Sequence, residues 1–227
     1  LPGPGLTLAN LTVGGATHIQ LQSSPAQSGP NPIVMARGPL GCVTTPPTTS
    51  GVPGDLNGDG RSDILFQDAN WSMAAWMMNG PNLVSAAFLT PSNPGVGWHV
   101  ADTGRFDNDG QEDVLFQHSD GTLAVWFMNG LNLASASLLT PSNPGPGWRV
   151  VSAGRFDNDA QDDLLFQHSD GTLALWFMNG TGLGSASLLT PGNPGPGWRV
   201  AGTADFNLDG KDEILFQHSD GTLAVWF

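Results

Sequence analysis

The nine residues from Asp55 to Asp63, "DLNGDGRSD", put oxygen-bearing side chains at alternate places: Asp55, Asn57 and Asp59 at positions one, three and five, and Asp63 at position nine. This is the donor chemistry of a hard divalent cation. Calcium takes about six to eight oxygen ligands in a flexible shell, and alternate residues of a tightly turning loop face one ion. The carbonyl of Arg61 at position seven and water molecules would complete the shell, while Gly60 permits the turn. An EF-hand is excluded, because position twelve is Phe66 in place of Glu and the "ILFQ" that follows reads as a strand. The loop therefore joins strand to strand. Fifty residues later the same place reads "RFDNDGQED", with Arg105 in the first position and Asp107 where Asn57 stood. The carboxylate count is unchanged: Asp55, Asp59 and Asp63 in one loop, Asp107, Asp109 and Asp113 in the other. Solvated acidic turns are the plain alternative, since Asp, Asn and Gly favour turns anyway. Spacing that recurs four times argues against it.

Other polar residues recur without assembling a reaction centre. His118, His168 and His218 each precede an "SDG" turn, and positions spread around a ring do not share a metal. Trp76, Trp126, Trp176 and Trp226 fall inside strands and Trp98, Trp148 and Trp198 open others, a pattern of core packing before one of sugar platforms. Arg149 and Arg199, with His99 at the equivalent place, follow those Trp residues and read as surface residues or as the lining of a polar groove. No nucleophile accompanies a His and an acid, and the paired carboxylates belong to the acidic loops, so the chain reads as non-catalytic. Cys42 stands alone, which rules out an intrachain disulfide framework.

The elements that position these residues follow from composition and repetition. Gly and Pro number 31 and 18, there is no Tyr, and only 12% of residues are charged, so turn-formers crowd out the residues that build helices. Trp, Phe, Leu and Val recur often enough to fill a core. A formal charge of -13 excludes nucleic acid as a partner, because phosphate contacts rest on Lys and Arg. No apolar run approaches the roughly 18 to 20 residues needed to span a bilayer. The chain opens at Leu1 without a Met, which fits either a removed signal peptide or a piece of a longer chain.

Residues 101–150 and 151–200 match at 39 of 50 positions without a gap, and 51–100 and 201–227 fall on the same frame. Turn signals divide each unit into four short strands. In the second unit these are Val114 to Gln117, Thr122 to Met128, Leu133 to Leu139, and one from Trp148 to about Ala153. In the second of them Leu123, Val125 and Phe127 point one way and Ala124, Trp126 and Met128 the other, so both faces are apolar and both are expected to be covered. The fold class is all-β, a β-propeller of four-stranded blades about fifty residues long. A parallel β-helix is the rival, but its rungs are shorter and lack tight antiparallel hairpins. Residues 1–50, with 15 Gly or Pro, stand outside the repeat as an N-terminal β segment or arm. Strand-like pieces lie at Leu6 to Val13, Thr17 to Gln22 and Ile33 to Ala36, with a linker from Thr44 to Gly54. The propeller is thus incomplete, or is completed by the N-terminal region or by another chain.

The pattern D-x-N-x-D-G-x-x-D, followed by an apolar strand and accompanied in each unit by "G-W" and "W-x-M-N-G" elements, resembles the FG-GAP or VCBS repeats of integrin-type β-propellers. The resemblance covers roughly residues 51–227. It implies calcium as cofactor, held in the loops of individual blades, and extracellular or cell-surface work in adhesion or recognition. Carried over by position, it implies Asp55, Asn57, Asp59, Arg61 and Asp63 in the first loop, with Arg61 acting through its carbonyl. The second loop gives Asp107, Asp109, Gln111 and Asp113, and the third Asp157, Asp159, Gln161 and Asp163. The fourth gives Asp205, Asn207, Asp209, Lys211 and Glu213. Glu213 is longer than the Asp it replaces and binds through both oxygens or only through water. Arg105 and Arg155 leave two accounts open. Either calcium stays while Arg turns outward, or the guanidinium replaces calcium as internal counter-ion. Ala160 stands where the other loops have Gly, at a cost of about 1–2 kcal/mol if its backbone is left-handed. Two functions fit these expectations: recognition of a glycan or protein at the cell surface, or a structural subunit that associates with copies of itself through an open terminal blade. An accessory region of a larger secreted enzyme is a third.

Overall fold

The computed structural model describes residues 8–13, 16–21, 52–107, 109–159 and 161–227. The expected strand at 33–36, most of the linker, Cys42 and Ala160 lie outside the described residues. The chain divides into two units, Leu1–Asn31 and Pro32–Phe227. In the first, β1 (Leu8–Val13) and β2 (Ala16–Leu21) form an antiparallel hairpin.

The second unit is a succession of four antiparallel sheets, and no helix occurs among the described residues. The first sheet holds β3 (Ile64–Gln67), β4 (Met73–Asn79) and β5 (Asn82–Phe88). The second holds β6 (Trp98–Gly104), β7 (Asp113–His118), β8 (Leu123–Asn129) and β9 (Asn132–Leu138). β10 (Trp148–Gly154), β11 (Asp163–His168), β12 (Leu173–Asn179) and β13 (Gly182–Leu188) make the third. The fourth has β14 (Trp198–Ala204), β15 (Glu213–His218) and β16 (Leu223–Trp226). Each sheet is a simple meander in chain order. These are the blades of the expected propeller, arranged without closing a ring. Their antiparallel pairing excludes the parallel β-helix.

Sequence alternation becomes two apolar faces because each blade lies between neighbours. On β8, Leu123 and Val125 are fully buried in the core shared with the third sheet, while Trp126 and Met128 join the core shared with the first. Full burial of one such side chain contributes about 1.5–3 kcal/mol, so the seams between sheets carry much of the stability. A register shift after Phe127 separates it from Met128, and the same shift occurs after Phe177.

Polar side chains fasten one blade to the next. Gln67 donates to the Trp98 carbonyl (3.0 Å) and accepts from the Val100 N–H (3.0 Å), and Gln117 does the same with Trp148 and Val150 (3.1 and 3.1 Å). The linker after each sheet reaches the outer strand of the next: Thr140 donates to the Thr181 carbonyl and accepts from the Leu183 N–H, both at 2.8 Å. Across the first strands, Asp102 accepts from the Ser152 hydroxyl (3.1 Å) and the Ala153 N–H (2.7 Å), and Ser152 lies 2.8 Å from the Thr203 hydroxyl. The acidic loops all connect a first strand, or its equivalent, to a second strand. They therefore gather at one end of the blades.

Candidate metal centre

In the first loop the carboxylate of Asp55 acts as the hub. Its Oδ1 accepts from the N–H groups of Gly58 (2.8 Å) and Asp59 (3.1 Å), and its Oδ2 from Gly60 (2.7 Å). Gly60 sits at φ +82°, a left-handed conformation that turns its N–H inward. Asn57 accepts from Asp59 (2.8 Å), and Asp59 from Arg61 (3.0 Å), so the alternate side chains form a staircase of Asx turns. The Arg61 guanidinium stays outside, 3.4 Å from Asp59. Asp63 is buried and ties the loop down: it accepts from Leu56 (3.1 Å) and from Met78 on β4 (2.9 Å). Burial pushes its carboxyl above the usual range, with Asp59 and Asp55 adding to the rise.

The fourth loop repeats this arrangement through Asp205, Asn207 and Asp209, whose oxygens accept from Asp209, Gly210 and Lys211. Glu213 differs as its length suggests. One oxygen takes the N–H groups of Phe206 (2.8 Å) and Asn207 (3.2 Å), and the other the Asn207 side-chain amide (2.8 Å).

In the second and third loops the staircase survives without its hub. Asp107 accepts from Asp109, Asp109 from Gln111, and Asp113 from Phe106 and Met128, with the same pattern from Asp157 to Asp163. The side chains of Gln111 and Gln161 turn away and accept from Gly130 and Gly180 at the next hairpin, leaving only their carbonyls to the loop. Burial, reinforced by the neighbouring carboxylates of Asp107 and Asp109, pushes Asp113 up to about 7; Asp163 rises to about 7 for the same reasons, beside Asp157 and Asp159. Burial and the contact with Asp109 also raise Asp107.

Arg105 follows neither expected course. It is buried instead of turning outward, and its ion pair is with Glu112 (3.2 Å), at position eight, in place of the three Asp residues. Its backbone N–H donates to Asp162 of the next loop (2.9 Å), and Asp162 donates back to the Arg105 carbonyl (3.0 Å). Arg155 lies 3.9 Å from Asp162 and donates its N–H to Asp212 (3.1 Å). Position eight thus belongs to the seam between blades. Sequence reading missed it, although the co-occurrence of Arg at position one with Glu112 or Asp162 at position eight was the available signal.

The donor set has calcium's chemistry: hard oxygens at each odd position, a free carbonyl at position seven, and carboxylates whose proton affinity is raised by crowding. Convergence is another matter. Among the described residues no group of three or more His, Cys, Asp or Glu is arranged to hold a metal ion, because each carboxylate is turned onto its own loop's N–H groups.

The remaining candidates are separate. His118 lies 2.9 Å from Asp120 and packs against Trp98 with ring centroids 5.0 Å apart, and His168 and His218 repeat both contacts with their own partners. These are three local pairs, partly buried, and not free hairpin residues. The N–H and hydroxyl of Thr122, then His118, hold Asp120 down at about 2. Arg149 and Arg199 are exposed, and Arg199 pairs with Gln217. An open cleft of about 250 Å³ lies on the third sheet, walled by Trp148, Phe166, Trp176, Leu188 and Pro144. Its Trp residues do both jobs weighed from the sequence, packing on the seam and lining a surface hollow.

The FG-GAP-like repeat pattern matches residues 55–116, 105–166 and 155–216, each match running from one acidic loop through the next. No curated protein matches the chain.

Proposed function

The chain belongs to the FG-GAP-like repeat family, an integrin-type repeat, and from that premise we propose that it is a non-catalytic, calcium-stabilised recognition protein working at the cell surface or outside the cell. One observation carries the reading: 15 of its 20 acidic residues fall in the four loops at one end of the blades, and the guanidinium of Arg105 is spent on Glu112. Crowded carboxylates without a matching cation favour a divalent ion. Calcium would supply charge neutralisation and a shared centre for oxygens that otherwise cap N–H groups. Asp55, Asn57, Asp59, the Arg61 carbonyl and Asp63 would hold it in the first loop. The fourth would use Asp205, Asn207, Asp209, the Lys211 carbonyl and Glu213. The hubless loops would bind more weakly through Asp107, Asp109, the Gln111 carbonyl and Asp113, and through Asp157, Asp159, the Gln161 carbonyl and Asp163.

The chain's own part is to hold those oxygens in place. Asp63 and its equivalents anchor each loop to the third strand of its blade, so an ion bound there would stiffen the blade corner and not meet a substrate. Recognition then falls to the opposite features, of which the Trp148–Trp176 cleft is the best formed: aromatic walls suit a sugar ring or an apolar side chain of a protein ligand. No helix among the described residues is long and apolar enough to cross a membrane. Isothermal titration with calcium, followed by glycan-array binding of the native protein and of Trp176→Ala, tests both halves. Uptake of calcium and loss of array signal in the variant support the reading. No heat of binding to calcium at any concentration sinks the metal, and an array signal indifferent to Trp176 moves recognition elsewhere.

A further inference from the structure

The chain contains one kind of apolar seam three times. The trailing face of the first sheet, with Leu65, Met73 and Ala75, meets Val114, Phe116 and Trp126 on the leading face of the second. Leu115, Leu123 and Val125 of the second meet Leu164, Phe166 and Trp176 of the third. Leu165 and Leu173 of the third meet Ile214, Phe216 and Trp226 of the fourth. Both halves of the seam are presented again at the two ends of the array. On the leading face of the first sheet, Trp76 packs on Phe66 just as Trp126 packs on Phe116, yet it is 42% exposed. On the trailing side of the fourth, Leu223 is 41% exposed where Leu123 and Leu173 are 0%, and Phe206 is 44% exposed where Phe106 is 1%.

We propose that these two faces are an interaction surface for a second copy of this chain, the leading face of the first sheet in one copy docking on the trailing face of the fourth sheet in another. The occupant is named by continuity with the internal seams. Aromatic rings on one side and branched aliphatics on the other already fit each other three times, and the end faces carry the same residue types at the same repeat positions. None of the seam residues is charged, so the contact depends on neither calcium nor salt bridges. The arrangement is head to tail: the Trp76 face has its complement in the Leu223 face and not in itself, so two like faces do not mate. Such a heterologous contact either closes a ring or extends as a filament, according to the angle between copies.

Light scattering of the full chain over a hundredfold range of concentration tests this. The expected result is a mass above one chain that rises with concentration, to a plateau for a ring or without limit for a filament. Trp76→Glu and Leu223→Glu should each be single chains alone, and an equimolar mixture should form a two-chain species and stop there, since each variant keeps one good face. Trp76→Gln and Leu223→Gln, checked by circular dichroism, serve if the charged variants misfold. A native chain that stays single at every concentration overturns the proposal, whether the faces stay bare or residues 1–51 cover one of them. So do variants that fail to pair when mixed, or a Trp76 variant that associates like the native chain.

Discussion

Arg105 replaces Asp55 by repeat position but not by role. Asp55 organises its own loop, whereas Arg105 leaves the loop for Glu112 and lends its backbone to Asp162. Removing one partner of this buried pair strands the other, so Glu112→Leu is expected to cost about 3–5 kcal/mol in urea unfolding. Arg105→Met combined with Glu112→Leu should recover most of that loss, because an apolar pair leaves no buried charge. The carboxylates left in the loop make a pH prediction. Asp113 and Asp163 sit near 7 in the folded protein against 3.8 as an unperturbed carboxyl, so between those values the folded state holds protons that the unfolded chain has released. Stability from this source is complete below about 4 and is lost as pH rises through 7. Calcium-free protein should therefore melt lower at pH 7.5 than at pH 5, and Asp113→Asn should flatten that slope. A melting temperature that climbs across this window would contradict the assignment.

At the level of strands and turns, repetition made the fold readable and hid what joins its parts. The fifty-residue period, the hairpin turns and the two-faced pattern of β8 are local, and each reappears in the structure. The partners of Gln67, Gln117 and Asp162 lie in the neighbouring blade, where only the three-dimensional neighbour gives the side chain a use. Exposure on β5, β9 and β13 likewise depends on their place at the outer edge and not on their composition. Gln117→Leu removes two bonds between blades and should cost about 1–3 kcal/mol by denaturant titration. The turn before each first strand is just as constrained. A Cβ on Gly97, at φ +85°, would lie 2.5 Å from His118 Nε2, whereas one on Gly60, at φ +82°, meets nothing within 4 Å. Gly60→Ala should thus cost only the backbone strain, about 1–2 kcal/mol, and Gly97→Ala more than that, with the Trp98–His118 contact broken. Equal losses for the two variants would mean that the close approach has no energetic weight.

For the molecule as a whole, the proposed ions should act on stability more than on shape. A ligand that binds only the folded state raises the melting temperature with its concentration, so calcium should raise it and chelator lower it. Asp55→Asn should diminish the response more than Asp107→Asn, because the first loop has the hub that the second lacks. A melting curve indifferent to calcium would leave the loops as turns alone. The linker contacts have a different consequence. Thr90 grips Leu131 and Leu133, and Thr140 grips Thr181 and Leu183, at the same step of the repeat. Excision of residues 101–150 would therefore hand Thr90 the partners of Thr140, and the first sheet would meet Leu164, Phe166 and Trp176 in place of Val114, Phe116 and Trp126. No join would be out of register. A gene of this kind can lose or gain whole blades by recombination between its own repeats, and array length becomes something evolution can vary without redesigning a single contact.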